Sequence, residues 1–357
     1  MQLPLIVMIG LATPVALVYA AGRLLRRRYR LPTPADESHH APTRDGWRIA
    51  LHRYHPAATI DRPAREPVIL CHGMLSNRFS VDLDERHSLA RYLSRCGFDV
   101  WVMELRGHGA STRVGGGIRP FDWSIDEYVH EDLPAAIRYV QQATGADGVH
   151  WVGHSLGGMI LYAANACGLT GSIRSAVFGD SPASFGDDRR PSWFGKTWAR
   201  LMPTVPPRPF IPFVMVLAFI SPRLLLPRYG IRNRLTMLRV VANGIIDVGC
   251  GRVARHLVRV VLRRRFTSAD GSIDYEAGIE RLDFPILQLA AARRRSPEAV
   301  VRGLIDRARV ADRTYLRLGR REGFSEDYSH FTILLGENAP REVFPLIAGF
   351  LESRSQG

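Results

Sequence analysis

Short apolar segments alternate with helical segments along the chain, and this alternation constrains the fold more than any other feature. "PVILCHG" and "FDVWVMELRGHG" have the character of buried strands, and the spacing of leucine, alanine and tyrosine in "DLDERHSLARYLSRCG" between them is helical. "GVHWVGHS" is a further buried strand with helical segments before and after it. Strands and helices that alternate in this rhythm predict an α/β fold, with a mostly parallel sheet and helices on both faces.

The alternation stops in the second half of the chain and later resumes. From residue 185 to residue 282 eight prolines lie among large apolar residues, which indicates an inserted helical cap. The strand-and-helix rhythm returns at "FPILQLAAA" and closes in a terminal helix. We therefore predict a membrane anchor at 1–30, a polar linker at 31–42, an α/β core at 43–184 and 283–357, and the cap between the two core parts.

The N-terminal segment predicts a transmembrane helix. Residues 1–22 carry no charged side chain, and "RLLRRRYR" follows them directly. About 20 apolar residues suffice to span a bilayer, and a cleavable signal peptide normally has basic residues ahead of its apolar stretch. We expect a retained single-pass anchor, with the bulk of the chain on the cytoplasmic side because arginines flank the span there. Export is the alternative.

The formal charge of +14 could indicate binding to nucleic acid or to an anionic membrane surface. No nucleic-acid-binding motif accompanies this charge, and Lys196 is the single lysine, so an arginine-rich composition explains it and no nucleic-acid partner is expected. The four cysteines are scattered, and no histidine or cysteine spacing indicates a metal site. We expect neither a cofactor nor a metal.

Ser155 is the candidate nucleophile. It lies in "GHSLG", which fits the pattern G-x-S-x-G and is placed between a predicted strand and a predicted helix. That context is what a nucleophile elbow needs, because the turn between strand and helix leaves room only for glycine hydrogens beside the serine. An ordinary structural turn is the alternative interpretation.

A serine nucleophile needs a base and donors for the developing oxyanion. His330 follows the last predicted strand and precedes the terminal helix, which gives the order serine, then histidine. A surface histidine in a polar loop is the alternative. Backbone N–H groups after the nucleophile and after an earlier strand can form an oxyanion hole, and these would belong to Leu156 and Met74.

Four segments together resemble one known family. "PVILCHGM", "GFDVWVMELRGHG", "GHSLGG" and "DYSHFTILLGENAPREVFPLIAGFL" resemble the α/β-hydrolase fold, in particular bacterial esterases and lipases related to acid lipases. The resemblance covers roughly residues 43 to 354 apart from the cap. It implies that Ser155 is the nucleophile, that His330 is the base, and that Met74 and Leu156 form the oxyanion hole. Polyhydroxyalkanoate synthases share parts of the pattern but have cysteine in the elbow.

The chain departs from the family at the carboxylate that orients the base. Members usually place this acid just after the strand that corresponds to "FPILQLA", whereas this chain has arginines at positions 293 to 295. An arginine beside the base would oppose formation of imidazolium, so we expect these side chains to point into solvent. Asp180, just after the preceding strand, is the candidate replacement; Glu298 and the absence of any functional acid are the alternatives.

The sequence thus predicts a serine esterase or lipase that cleaves carboxylic esters of lipophilic substrates through an acyl-enzyme. An acyltransferase would use the same residues with an alcohol in place of water. A catalytically silent scaffold is the third possibility, because arginines occupy the usual acid position.

Overall fold

A nine-stranded β-sheet forms the centre of the part of the chain that the structure describes. The computed structural model describes residues 3–32, 35–57, 65–114, 122–185, 210–222, 230–243, 251–294 and 297–355. Its strands are β1 Glu37–Pro42, β2 Trp47–Tyr54, β3 Arg65–Cys71, β4 Phe98–Glu104, β5 Thr112–Arg113, β6 Val149–His154, β7 Ile173–Gly179, β8 Ile286–Ala291 and β9 Arg313–Leu318. They lie in the order β1-β2-β4-β3-β6-β7-β8-β9, and β5 pairs with β2.

The sheet is mostly parallel, as predicted. Neighbouring strands run parallel from β4 across to β9, whereas β2 is antiparallel to its three partners. In β3 the alternate residues Val68 and Leu70 belong to one apolar core, and Ile69 and Cys71 belong to another. Because a central parallel strand is covered on both faces, a continuous apolar run rather than strict alternation is the pattern that forms it.

Helices cover both faces of the sheet. They are α1 Leu3–Tyr29, α2 Leu89–Arg95, α3 Ile125–Glu127, α4 Leu133–Thr144, α5 Leu156–Ala166, α6 Ile211–Ile220, α7 Arg234–Asn243, α8 Gly251–Arg263, α9 Ala277–Glu280, α10 Ala299–Arg307, α11 Thr332–Leu335, α12 Ala339–Glu342 and α13 Phe344–Glu352. Side chains of α4 and α5 pack into the core that contains Ile69 and Cys71, and those of α2 and α13 pack into the core that contains Val68 and Leu70.

The predicted linker at 31–42 is wrong for residues 37–42, which form β1. The strand pairs antiparallel with β2 along its whole length, from Glu37 opposite Arg53 to Pro42 opposite Arg48. Its inward side chains also pack, since Ala41 is fully buried. Polar composition suggested a linker, but this segment forms the edge strand of the sheet and pairs its backbone with β2.

Among the described residues, four helices, α6 to α9, lie within the predicted cap at 185–282. Residues 186–209, 223–229 and 244–250 of that predicted cap lie outside the described residues. Buried side chains of α6 and α7 join the apolar core that contains α2. The exact cap boundaries stay a prediction.

The predicted transmembrane anchor at residues 1–30 is wrong. Within the described part of the chain, no helix combines the length and the apolar character that crossing a membrane requires. The described end of α1 packs instead against other helices. A methyl group at Gly22 would collide with the Pro212 carbonyl, so α1 and α6 cross in close contact, and Arg26 Nε donates to the Ala242 carbonyl at 3.2 Å. The single-pass localisation that rested on the anchor is withdrawn with it.

A buried ion pair fixes the turn after β4. Arg106 donates from its backbone N–H and its Nε to the two carboxylate oxygens of Asp132, at 2.9 and 2.7 Å, and both side chains are almost fully buried. In the same turn the Leu105 N–H donates to His72 Nε2 at 3.1 Å. The pair therefore supports the loop after β3, where the predicted oxyanion-hole residue Met74 lies.

We expect Asp132→Asn to lower the free energy of unfolding by about 3 kcal/mol, because it removes one partner of a buried ion pair and leaves the guanidinium of Arg106 undercompensated. Asp45, which also contacts Arg106 at 2.5 Å, keeps the loss at the lower end of the usual range. Urea denaturation of the full chain measures the change.

The matched control is Asp306→Asn, which breaks the exposed pair between Arg302 and Asp306 at 3.3 Å. Exposed pairs contribute about 0.5 kcal/mol or less, so this variant should unfold nearly with the parent. Equal losses of unfolding free energy in the two variants would show that the buried ion pair stabilises the fold no more than the exposed pair does.

Candidate active site

Ser155 lies in a strained turn between β6 and α5. Its backbone angles are φ 54° and ψ −115°, in the left-handed region that a serine adopts only when the surrounding structure imposes it. The Ser155 N–H donates to the Gly179 carbonyl at 2.9 Å, and its own carbonyl accepts from the first turn of α5. These hydrogen bonds hold the turn and place Ser155 at the carboxyl end of β6.

The glycines of the G-x-S-x-G pattern are required by close backbone approach. A Cβ atom at Gly153 would lie 2.5 Å from the Gly157 carbonyl carbon, and one at Gly157 would lie 2.5 Å from the Cys71 carbonyl oxygen. Contacts of that length do not occur in real proteins, so only hydrogen fits at either position. The sequence argument for the elbow thus has a geometric basis.

Asp180 and His330 are hydrogen-bonded to each other. Asp180 follows β7 directly, and its carboxylate is almost fully buried. The Nδ1–H of His330 donates to Asp180 Oδ2 at 2.6 Å, and the His330 side chain is 37% exposed. The alignment of the strands places Asp180 level with the ends of β6 and β8, because Gly179 in β7 is paired with both His154 in β6 and Leu289 in β8.

The segment that carries His330 is attached to the end of β8. The Arg293 N–H donates to the Tyr328 carbonyl at 2.8 Å, and Arg293 and Ser329 form a parallel bridge. This backbone pairing brings the His330 loop over the carboxyl edge of the sheet. The ring then lies where the ends of β6 and β7 come together.

His154, the residue before the predicted nucleophile, contacts His330 in two ways. Its Nε2–H donates to the His330 carbonyl oxygen at 2.8 Å, and the two ring centroids are 4.6 Å apart. Burial and the neighbouring His330 ring lower the pKa of His154 to about 3. His154 is therefore a neutral support for the backbone of His330 at neutral pH, and no sequence pattern indicates this contact.

Arg294 does not point into solvent, so that expectation is wrong. Its side chain is 9% exposed, and its Nη1 lies 2.9 Å from Asp180 Oδ1. The burial of the Asp180 carboxylate creates a negative charge that needs a partner, and the guanidinium provides it. Arg293 is exposed as expected, and Arg295 lies outside the described residues.

Three groups hold the Asp180 carboxylate. Besides His330 and Arg294, the Ala291 N–H donates to Oδ1 at 3.0 Å. Burial by itself would raise the pKa of Asp180, but the His330 hydrogen bond, the Arg294 charge and the Ala291 N–H outweigh it, and the pKa lies below its usual value. The carboxylate is therefore ionised at neutral pH.

The loop after β3, which contains Met74, runs beside Ser155. A Cβ atom at Gly73 would lie 3.0 Å from the Ser155 Cβ. His72 fixes this loop, since its Nδ1–H donates to the Gly73 carbonyl at 2.8 Å while its Nε2 accepts from Leu105. Leu156, the other predicted oxyanion-hole residue, is the first residue of α5.

Glu298, the alternative acid, is engaged elsewhere. Its Oε1 accepts from the Tyr315 hydroxyl at 2.6 Å, and its Oε2 lies 3.4 Å from Arg317 Nε. Among the described residues, no group of three histidine, cysteine, aspartate or glutamate side chains could hold a metal ion.

A comparison with protein families finds a match over part of the chain. The sequence model of the α/β-hydrolase fold family matches residues 66–202. Triacylglycerol lipase 2 of Arabidopsis thaliana is 35% identical over 151 residues, which are 40% of this chain and 36% of that protein. Gastric triacylglycerol lipase of Rattus norvegicus is 31% identical over 133 residues, 34% of each chain. The chain thus matches about a third of the length of these curated relatives.

Solved structures extend the likeness to nearly the whole fold. A soluble variant of monoglyceride lipase from Saccharomyces cerevisiae, in complex with a substrate analog, matches with a TM-score of 0.63 over 92% of this chain and 100% of that one, at 15% identity. At this identity the likeness shows the fold alone. The parallel sheet, the family match over residues 66–202 and the lipase relatives confirm the predicted resemblance to α/β-hydrolase esterases and lipases, and the chain has the α/β-hydrolase fold.

Proposed function

We propose that the protein is a serine hydrolase that cleaves carboxylic esters of lipophilic substrates through an acyl-enzyme. In this proposal Ser155 is the nucleophile, His330 is the general base and Asp180 is the carboxylate that orients the base. The observation that carries the proposal is the 2.6 Å hydrogen bond from His330 Nδ1 to Asp180 Oδ2, formed at the sheet edge where Ser155 occupies its elbow.

The hydrogen bond determines which nitrogen of His330 can act as a base. Because the ionised Asp180 accepts the proton carried on Nδ1, the lone pair of the neutral ring is on Nε2. The carbonyl of His330 is held by His154, so the ring has support from both its side chain and its backbone. An imidazole fixed in this tautomer can take the proton of a serine hydroxyl.

In the acylation step His330 Nε2 takes the hydroxyl proton as Ser155 Oγ attacks the acyl carbon of the ester. The carbonyl electrons move to the oxygen, where the N–H groups of Leu156 and Met74 would stabilise the oxyanion. When the carbonyl reforms, the bond to the alkoxy oxygen breaks, and the imidazolium gives its proton to the departing alcohol.

Deacylation repeats the same chemistry with water. His330 takes a proton from a water molecule, the hydroxide attacks the acyl carbon, and the Ser155 oxygen leaves with the proton that His330 returns. The products are a carboxylic acid and the free serine, so no cofactor or redox step is needed.

Lipophilic esters are the proposed substrate class for two reasons. The names of the relatives, triacylglycerol lipases and a monoglyceride lipase, point to lipid esters. The described part of the cap also contains the strongly apolar helix α6, whose Leu217, Phe219 and Ile220 side chains are exposed, as is Phe210 just before the helix. Apolar cap surface of this kind suits contact with acyl chains.

Reaction with a fluorophosphonate tests the nucleophile. We expect the parent protein to gain the mass of one phosphonyl group on Ser155, because an activated serine attacks phosphorus as it attacks an acyl carbon. Intact-mass measurement and peptide mapping should find no adduct in Ser155→Ala, whereas Ser353→Ala, which removes an exposed serine, should react like the parent. An unreactive parent, or an adduct on another residue, would reject the proposed nucleophile.

Substitution of the acid tests the base-orienting role of Asp180. Asp180→Asn should lower kcat for p-nitrophenyl ester hydrolysis by about four orders of magnitude, because an amide no longer selects the Nδ1–H tautomer of His330. Circular dichroism checks that the fold survives. Glu298→Gln is the control, since Glu298 contacts Tyr315 rather than His330; a larger loss in this variant than in Asp180→Asn would transfer the role to Glu298.

A further inference from the structure

Arg294 occupies an unusual place for a positive charge. It lies shortly after β8, at the edge of the sheet where the proposed base and its carboxylate meet. Its side chain is only 9% exposed. Nη1 lies 2.9 Å from Asp180 Oδ1. The resemblance discussed above would place a carboxylate in this region, so the sign of the charge is reversed.

The contact between Arg294 and Asp180 depends on charge more than on hydrogen-bond direction. Within the described residues, the buried Nε and Nη1 atoms of Arg294 have no hydrogen-bond partner, although Nη1 is close to Oδ1. A guanidinium that was present only to hydrogen-bond the carboxylate would form a bidentate pair. The geometry here places a positive charge beside one carboxylate oxygen and leaves Oδ2 to His330.

We propose that Arg294 is a positioning residue that holds Asp180 ionised and sets the pH at which His330 takes up a proton. The proposal rests on the proposed function, in which His330 must be neutral to act as a base. With Arg294 in place, the buried aspartate and arginine together carry no net charge, and His330 faces a neutral pair instead of an isolated carboxylate.

The direction of the effect follows from the charges around the ring. Among the described residues, the titratable or charged side chains with contacts around His330 are Asp180 from the end of β7, Arg294 through Asp180 from the end of β8, and the neutral His154 from the end of β6. A nearby positive charge disfavours a second one, so Arg294 opposes protonation of His330.

Loss of Arg294 acts on both partners in the same direction. Without the guanidinium, imidazolium is more favourable, and the buried Asp180 carboxylate is also easier to protonate. Each change raises the pH below which neutral His330 and ionised Asp180 are no longer present together. The acid limb of a kcat/KM profile should therefore move upward, whereas a purely structural role would lower rates without moving the limb.

The test is an NMR titration of His330 in the full-length protein, which requires no catalytic activity. The His330 signal is assigned by its absence in His330→Gln. We expect the titration midpoint to rise by about one pH unit in Arg294→Met and in Arg294→Gln, which is at the low end of the effect of an adjacent charge. Arg294→Lys should titrate close to the parent because it keeps the charge.

Arg293→Met is the matched control. It removes the same charge one residue away, from an exposed side chain, and should leave the midpoint of His330 in place. Midpoints in Arg294→Met and Arg294→Gln that coincide with the parent would overturn the proposal. A shift in Arg293→Met as large as that in Arg294→Met would also overturn it, because the effect would then be one of net charge alone.

A second comparison covers the case in which the neutral variants fail to fold with an unpaired buried carboxylate. The double variant Asp180→Asn/Arg294→Met removes both buried charges together, which is tolerated better than removing one. Its midpoint should be higher than that of Asp180→Asn alone, which keeps the guanidinium. Equal midpoints in these two proteins would overturn the proposal.

The outcome is separable from that of the proposed function. A parent that does not react with the fluorophosphonate rejects the hydrolase, yet the midpoints still show whether Arg294 controls the protonation of His330. If the parent does hydrolyse esters, the acid limb of its kcat/KM profile should move with the NMR midpoint in each variant. An acid limb that stayed in place while the midpoint moved would overturn the link to catalysis.

Discussion

The site depends on the parallel alignment of β6, β7 and β8, which end at one edge of the sheet. Gly179 pairs with His154 on one side and with Leu289 on the other, so Ser155 and Asp180 leave their strands at the same level. The end of β8 then pairs through its backbone with the segment that carries His330. Asp180 and His330, which are 150 positions apart in sequence, meet because neighbouring parallel strands present their carboxyl ends together.

Electrostatics at this edge compensate for the burial of a carboxylate. An unpaired Asp180 in this position would be protonated or would destabilise the fold, because burial raises the free energy of a charged group. The structure supplies a hydrogen bond from His330, a backbone N–H from Ala291 and the charge of Arg294. The carboxyl group stays ionised, and an ionised carboxylate is what fixes the tautomer of the neighbouring imidazole. The geometry proposed for catalysis and the local stability thus have the same cause.

The sequence predicted the parts of the fold that local pattern determines. Continuous apolar runs identified the central strands, and G-x-S-x-G between strand and helix located the turn at Ser155, where backbone contact excludes side chains at the glycines. Contacts between residues far apart in sequence could not be predicted from local pattern. A segment whose composition indicates a linker forms β1, and the Arg294 side chain is buried against Asp180. The N-terminal segment was misinterpreted because an uncharged run has the same composition in a membrane anchor as in a helix that packs on α6 and α7.

The central claim is that Ser155, His330 and Asp180 act as one unit beside an oxyanion hole. The most direct measurement is a crystal structure of the protein after reaction with a phosphonate ester, which mimics the tetrahedral intermediate. The account predicts phosphorus bonded to Ser155 Oγ, one phosphonyl oxygen accepting from the N–H groups of Leu156 and Met74, and the hydrogen bond between His330 and Asp180 retained. An adduct whose oxygen lies away from both N–H groups, or a His330 ring turned away from Asp180, would contradict it.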